Sequence, residues 1–281
     1  MRSLSKPTFT NLEVLNLCLT ATPDVGLHTR LLAISNNLDI ATTAYDVNAT
    51  AKTLNLVPRV DTVGHVTKPE LTSLYSDHMS KTNGVARHIY DSIRSLAPYK
   101  KCPLCGVGTV ATLDHHLPKS KYPDLAIFPC NLVPACHFCN DTKKARYPRL
   151  PGQQTLHPYY DAPLFSARWM KATLDQGPPL VIIYEASPPA TWPAIDQERV
   201  RRHFIICGIG VTFSSNANDE LAAHKDMLVK LHRQGGAVAV RGHLLEQVEK
   251  YSSRTNSWQL SMFEALANDT WFIDVGFNSI A

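Results

Sequence analysis

The spacing of apolar residues in the first hundred positions is that of helices. Apolar side chains recur at steps of three and four residues, which places them on one face of a helix. The stretch Thr67–Glu70 has the signs of a helix start, with a capping threonine, a proline in the first turn and an acid close behind. Residues 1–98 are therefore predicted to form a helical N-terminal region. The apolar positions that carry this spacing are Leu27, Leu31, Ile34, Val85, Ile89, Ile93 and Leu96.

The second half of the chain has a different pattern. Residues 146–163 contain four prolines and a Gly-Gln-Gln turn, which predicts a loop on the surface. Leu180–Glu185 is rich in β-branched residues and is bounded by prolines, which predicts a strand. Residues 164–281 are predicted to be mostly helical around this short strand. Helical spacing with glycine- or serine-rich breaks occurs over Glu198–Ile206, Asp219–Leu231, Gly242–Lys250 and Ser257–Ala267.

Length, composition and net charge are typical of a globular protein and do not indicate a particular function. A chain of 281 residues with 44% apolar residues can bury a core in one large domain or two modest ones. A net charge of +4 permits contact with nucleic acid without requiring it. The first ten residues do not resemble a secretory signal, and no apolar run approaches the roughly 18 residues of a membrane span. These features predict a cytoplasmic protein.

Four of the seven cysteines are arranged in two Cys-x-x-Cys pairs separated by thirty residues. A single pair is compatible with a redox dithiol, a haem attachment or chance. Two such pairs are typical of two tight turns that present four thiolates to one tetrahedral zinc ion. Four thiolates leave no open position for water, so the zinc is predicted to be structural. Its ligands are Cys102, Cys105, Cys136 and Cys139.

Between the two pairs, Asp114 and His115 have side chains that suit hydrolysis. A carboxylate is a hard oxygen ligand for magnesium or manganese, and a neutral imidazole can take a proton from water near pH 7. Asn140, directly after the last cysteine, can add a second oxygen ligand from the first turn of a helix. These residues predict a catalytic cation separate from the zinc.

The segment from Cys102 to about Arg146 resembles the HNH endonuclease family. The resemblance rests on Asp-His-x-x-Pro from Asp114, on Asn-Leu-x-x-x-Cys-x-x-Cys-Asn from Asn131, and on the two lysines that follow. The active site of this family is a ββα-metal unit, here in its zinc-stabilised treble-clef form. The resemblance therefore implies an HNH module over residues 99–163, inside a mostly helical α+β protein.

The resemblance also implies a role for each matched residue. His115 matches the general base, Asp114 the first metal ligand, and Asn131 the middle asparagine that braces the loop and orients the histidine. Asn140 stands where many members have a histidine, so the motif is His-Asn-Asn, and an amide oxygen favours Mg²⁺ or Mn²⁺. A frame shifted by one residue would make His115 the ligand and His116 the base. The match to Asp-His-x-x-Pro favours His115.

The activity implied is hydrolysis of DNA phosphodiester bonds. Proteins of this layout often belong to bacterial or phage systems, including anti-phage defence modules in which an HNH subunit acts beside an ATPase. The chain has no Walker motif, so any ATPase would be a separate chain. His157 is a weaker candidate for a substrate contact. Basic residues near the motif are predicted to contact phosphates, with a solvated surface as the alternative: Lys119, Lys121, Lys143, Lys144 and Arg146.

Two other functions compete with a DNA nuclease. One is a non-catalytic zinc module that binds nucleic acid or a protein partner, in which Asp114 and His115 are only structural. The other is a nuclease that acts on RNA, or a toxin that acts on tRNA. The sequence has no recognisable RNA-binding motif, which favours DNA.

Overall fold

In the computed structural model, which describes residues 1–177 and 179–280, the chain is α+β and mostly helical, as predicted. It divides into two compact units, Met1–Ala162 and Pro163–Ala281. The predicted N-terminal region and almost all of the predicted central module lie in the first unit. No helix among the described residues combines the length and the apolar character that a membrane span requires.

The first unit opens with helices whose starts follow capping signals in the sequence. Its early elements are α1 (Asn11–Thr20), α2 (Val25–Ala33), α3 (Ser35–Thr50), β1 (Thr62–Val63), β2 (Val66–Thr67), α4 (Lys68–Ser73) and α5 (Arg87–Ser95). Thr10 caps α1 and Thr67 caps α4, each in a capping box with a glutamate three residues later. The predicted helix start at Thr67 is confirmed. Helix α4 continues directly into a π-helical segment, Leu74–Ser80.

Most of the predicted apolar positions pack into one core. Leu31, Ile89 and Ile93 are buried together in it. Val85 is an exception, because it precedes α5 and is 38% exposed. The same core includes Leu113 from the centre of the sequence, so the helices of the N-terminal region and the central strands share their apolar contacts.

A pair of antiparallel strands followed by a short helix lies in the central part of the first unit. The elements are β3 (Thr112–His115), β4 (Leu132–Ala135) and α6 (His137–Lys143). Asp114 lies opposite Val133, and His115 lies opposite Leu132. The connection between the strands is a long loop that contains two single 3₁₀ turns.

The segment 146–163 is irregular, as predicted, but the prediction that it runs over the surface is wrong for its second half. Gln154 and His157 are fully buried, and Asp161 is 2% exposed. Side chains meet the hydrogen-bonding needs of this buried backbone. The Oε1 atom of Gln154 accepts from the backbone N–H of Leu54 at 3.0 Å, and Asp161 accepts from the N–H of His157 at 2.7 Å.

The second unit combines a strand pair with helices. Its elements are α7 (Ala162–Ser166), β5 (Met170–Asp175), β6 (Val181–Ala186), α8 (Ala194–Ile206), α9 (Ile209–Tyr251), α10 (Trp258–Asn268) and α11 (Thr270–Asp274). Strand β6 matches the predicted strand, and its partner β5 was not predicted. The two predicted helices on either side of the Gly-Gly step are both parts of α9, which leaves helical geometry at Gly235 and Gly236.

Candidate functional site

Four cysteine sulphur atoms form a compact cluster in the first unit. The sulphurs of Cys102, Cys105, Cys136 and Cys139 all lie within 4.8 Å of one another, and all four residues are buried. The sulphurs of Cys105 and Cys136 are 3.9 Å apart. In a tetrahedral zinc site with Zn–S bonds of about 2.3 Å, the sulphurs are about 3.8 Å apart. The cysteine cluster can therefore hold a metal ion such as zinc.

A tight turn after Cys102 presents the first two thiols. The N–H of Gly106 donates to the carbonyl of Cys102 at 2.7 Å, and Gly106 has a φ of 76°, which favours glycine. The N–H of Gly108 donates to the sulphur of Cys105 at 3.4 Å. A Cβ atom on Gly108 would lie 2.7 Å from the sulphur of Cys136. Gly106 is thus required by its backbone conformation, and Gly108 by the close approach of the Cys136 sulphur.

The start of helix α6 presents the other two thiols. Cys136 is the N-cap, and its sulphur accepts from the N–H of Cys139 at 3.4 Å. The thiols also share hydrogen bonds: bonding with Cys102 lowers the pKa of the Cys105 and Cys136 thiols, and bonding with Cys105 raises the pKa of the Cys102 thiol. A bound zinc would tie the start of α6 to the turn that begins at Cys102.

A cavity of about 340 Å³ lies beside the end of β3 and the exposed side of α6. Asp114 and His115 come from the strand, and Asn140 comes from the helix. The fold thus brings together the three side chains that the sequence analysis assigned to a catalytic cation and its base. The remaining residues that line the cavity are Pro118, Lys119, Ser120, Asp141, Lys144 and Ala145.

One hydrogen bond determines the tautomer of His115. Its Nε2 atom lies 2.9 Å from the backbone carbonyl of Ala126. A carbonyl can only accept, so a neutral His115 carries its proton on Nε2 and has Nδ1 as its basic nitrogen. Burial, opposed by the hydrogen bond to Ala126 and assisted by the charges of Lys119 and Lys143, lowers the pKa of His115 to about 3. The ring of Tyr75, from the π-helical segment, packs edge-on against the imidazole at 4.4 Å between centroids.

Asn131 holds the loop that carries the Ala126 carbonyl. Its amide donates to the carbonyls of Leu117 at 3.0 Å and Leu125 at 3.2 Å, and its Oδ1 accepts from the N–H of Leu117 at 2.7 Å. The residue is fully buried. Because Leu125 precedes Ala126, these bonds position the carbonyl that orients His115.

The two adjacent histidines lie in different surroundings. His115 lines the cavity, whereas the ring of His116 packs in a tilted arrangement against that of His157, with 4.1 Å between centroids. His157 accepts from the N–H of Tyr159 at Nδ1, and its Nε2 lies 2.9 Å from the hydroxyl of Tyr45. Neither His116 nor His157 lines the cavity. Both belong to a buried cluster of rings.

Lys143 is buried rather than exposed on the surface. It was predicted to contact phosphate, but it is only 4% exposed and forms an ion pair with Asp114 at 3.0 Å. Its ammonium group also donates to the carbonyl of His115 at 2.6 Å. The helical turn of α6 directs this side chain inward, toward β3. A phosphate on the surface cannot reach it there.

The other predicted basic residues are nearer to solvent. Lys119 and Lys144 line the cavity, while Lys121 and Arg146 are exposed outside its lining. The ammonium group of Lys119 donates to the hydroxyl of Ser76 at 3.1 Å and lies 4.7 Å from the centre of the Tyr75 ring. The contact of Tyr75 with His115 could not be predicted from the sequence, because Tyr75 lies forty residues earlier, in the π-helical segment.

Comparison with known proteins adds one relative. The chain is 27% identical over 293 residues to protein ea31 of Escherichia phage lambda, an alignment that covers 97% of this chain and 99% of that protein. No family model matches the chain, and no solved structure is similar to it. The name of the phage protein carries no information about activity.

Proposed function

We propose that the chain is a metal-dependent endonuclease of the HNH type that hydrolyses phosphodiester bonds in DNA. The observation that carries the proposal is the setting of His115. Its Nε2 is held by a backbone carbonyl, which leaves Nδ1 as its basic nitrogen, and it shares one cavity with Asp114 and Asn140. A neutral imidazole beside hard oxygen ligands is suited to activating water.

The local fold supports this proposal. Two antiparallel strands, β3 and β4, are followed at once by α6, and the candidate residues lie at the end of β3 and on the first turns of α6. This is the order of elements in a ββα-metal unit. The cysteine cluster joins the start of α6 to the turn that precedes β3, as a structural zinc would in a treble clef.

The residues present also fit a catalytic cation. Asp114 and Asn140 would hold it through a carboxylate and an amide oxygen, ligands that favour Mg²⁺ or Mn²⁺ over softer ions. In the structure the carboxylate of Asp114 is paired with the ammonium group of Lys143, which a divalent cation would displace from at least one carboxylate oxygen. When bound, a divalent cation supplies the charge that neutralises the scissile phosphate and the departing oxygen.

The roles of the side chains follow from their positions. His115 takes a proton from water at Nδ1, and Asn131 keeps the imidazole aligned through the loop. Lys119 and Lys144, which line the cavity, hold the phosphate by charge. Zinc on the cysteine cluster holds the fold and takes no part in the chemistry. A role in anti-phage defence beside a separate ATPase chain stays a prediction.

The direct test is cleavage of plasmid DNA and of RNA by protein that retains zinc but has been depleted of other metals. We expect no cleavage until Mg²⁺ or Mn²⁺ is added, and a loss of about 10²- to 10⁴-fold in His115→Ala. His65→Ala, which changes an exposed histidine, is the matched control. Undiminished cleavage by His115→Ala would contradict its assignment, and cleavage of RNA with intact DNA would contradict the choice of substrate.

A further inference from the structure

Three basic side chains converge on one tyrosine at the surface of the first unit. The guanidinium group of Arg59 donates to the hydroxyl of Tyr147 at 2.9 Å and lies 5.3 Å from the centre of its ring. The guanidinium group of Arg149 lies 5.8 Å from the same ring centre. We call Arg59, Lys121, Tyr147 and Arg149 the basic–aromatic patch. Arg59 comes from the connection between α3 and β1, nearly ninety residues before Tyr147.

The electrostatics of Tyr147 show that all three cations act on it. Desolvation raises its pKa, but hydrogen bonding from Arg149 and the charges of Arg59, Arg149 and Lys121 outweigh it, so that the pKa is lowered. The ring of Tyr122, which is itself buried, supports Tyr147 from below at 6.0 Å between centroids. The patch is therefore anchored on a buried ring of the first unit.

The positive charge of the patch is not neutralised by the protein. Arg59, Lys121 and Arg149 are exposed, and within residues 1–177 and 179–280 none of them forms an ion pair with a carboxylate. Asp61 feels the charges of Arg59 and Lys121, but its own ion pair is with Lys68. Like charges that are held together without counterions are stable only at some cost, which an anionic ligand would relieve.

The patch is continuous with the cavity along two stretches of chain. Lys121 directly follows Ser120, and Tyr147 stands two residues after Ala145; both Ser120 and Ala145 line the cavity. Consecutive Cα atoms are about 3.8 Å apart, so the patch begins within about 8 Å of the cavity wall. Lys119 and Lys144 inside the cavity extend the same positive surface inward.

We propose that the basic–aromatic patch is a second phosphate-binding site, which holds the backbone of a DNA strand beyond the point of cleavage. The proposal rests on the proposed function for its choice of DNA. The two guanidinium groups bind phosphate oxygens through paired N–H donors, and Lys121 adds a point charge. Tyr147 is a positioning residue, because its ring and hydroxyl hold both guanidinium groups in place before the strand arrives.

The test measures binding of fluorescent duplex DNA to His115→Ala protein, with and without Arg59→Gln and Arg149→Gln together. We expect affinity to fall roughly tenfold at low salt, and the slope of log affinity against log salt to become shallower by about 2. The control is Lys81→Gln with Lys230→Gln, which removes the same charge from exposed residues that are not part of the patch. Equal affinity and slope in the patch variant and the control would overturn the proposal.

Two further measurements separate the patch from the cavity. In the background with His115 intact, hydrolysis of bis(p-nitrophenyl) phosphate reports the cavity alone, because this diester has a single phosphate and leaves none for the patch to bind. We expect the patch variant to keep that activity; its loss would show that the effect arises in the cavity and would overturn a separate site. If the unmodified protein does not hydrolyse the diester, the proposed nuclease function fails. The DNA-binding measurement with the His115→Ala protein still tests whether the patch binds DNA.

The role of Tyr147 has its own readout. Tyr147→Phe keeps the ring and loses the acceptor for Arg59, whereas Tyr147→Ala loses both. We expect Tyr147→Ala to weaken DNA binding several-fold and Tyr147→Phe to weaken it less, with unchanged thermal unfolding in Tyr147→Phe. Wild-type binding by both variants would show that the tyrosine does not position the arginines.

Discussion

The cysteine cluster and the cavity both use helix α6, but they differ in how their groups are held. The four cysteines are chemically alike, buried, and joined in two short turns, so a metal on them would be closed to water. The cavity is lined by acids, bases and an amide from three stretches of chain, and it opens to solvent. The first arrangement is suited to holding a fold and the second to binding a reactant.

The difference also lies in where the supporting contacts come from. Backbone N–H groups of Gly108 and Cys139, which belong to the same turns, support the sulphurs. In contrast, His115 depends on a carbonyl eleven residues away, and that carbonyl depends on Asn131. The cavity is therefore more sensitive to changes at a distance, and the cluster to changes within its own turns.

The largest expected effect is that of Cys102→Ser or Cys139→Ser. We expect either variant to lose zinc and at least about 5 kcal/mol of unfolding free energy, because structural zinc binding contributes on the order of 10 kcal/mol to folding. Zinc content and thermal unfolding measure this. The control is Cys130→Ser, which changes a buried cysteine outside the cluster and should retain zinc. A stable and active protein without zinc would show that the cluster does not hold the fold.

The next effect concerns the ion pair between Lys143 and Asp114. Lys143→Met leaves a buried carboxylate without its cation, which costs about 3–5 kcal/mol. Adding Mn²⁺ should restore more stability to the variant than to the wild type, because the metal replaces the lost charge. Thermal unfolding across a Mn²⁺ titration measures both. Lys81→Met, at an exposed lysine that does not line the cavity, is the control, and an equal response of the two variants would contradict a cation site at Asp114.

Asn131→Ala should lower the free energy of unfolding by about 3 kcal/mol. It removes three buried hydrogen bonds worth about 1 kcal/mol each. The loop should loosen and His115 should lose its fixed tautomer, which nitrogen chemical shifts of the imidazole ring report. Asn37→Ala, at an exposed asparagine of α3, should change neither stability nor tautomer. An unchanged imidazole in Asn131→Ala would show that Asn131 acts on the fold only.

The smallest expected effect is the pH dependence that Asp124 confers on the loop. Burial raises the pKa of this carboxyl from 3.8 to about 6. The folded state thus favours the neutral form, so the stabilisation from proton binding is complete below pH 3.8 and is lost as pH rises through about 6. Asp124→Asn should therefore be more stable than the wild type at pH 7 by about 1–3 kcal/mol, and equally stable near pH 3.

Denaturant unfolding at several pH values measures this effect. Asp39→Asn, at an exposed aspartate of α3, is the control and should show no such difference. A constant difference between Asp124→Asn and the wild type from pH 3 to 7 would contradict a raised pKa at Asp124.

Much of the local structure could be predicted from short patterns. The capping box at Thr67, the strand near residue 181 and the helix break at Gly235 were predicted from adjacent residues, because caps, β-branched runs and glycines act over a few positions. Strand β5 escaped prediction because its pairing with β6 is a tertiary contact. The burial of residues 154–161 was not predicted for the same reason: prolines indicate irregular backbone, but they do not show whether other parts of the same chain cover it.

The cysteine cluster and the cavity differ in the same way: the first follows from local spacing and the second from tertiary packing. The spacing of Cys102, Cys105, Cys136 and Cys139 was enough to predict a buried metal cluster, because a Cys-x-x-Cys turn places its two sulphurs together wherever it occurs. The residue types at Asp114, His115 and Asn140 led to the prediction of a catalytic cation, and only the packing of β3 against α6 brought the three side chains to one cavity. The partners of the basic residues also depended on tertiary packing, which a pattern of charges along the chain does not reveal. Lys143 is buried and pairs with Asp114, while Arg59, from a distant connection, contacts Tyr147.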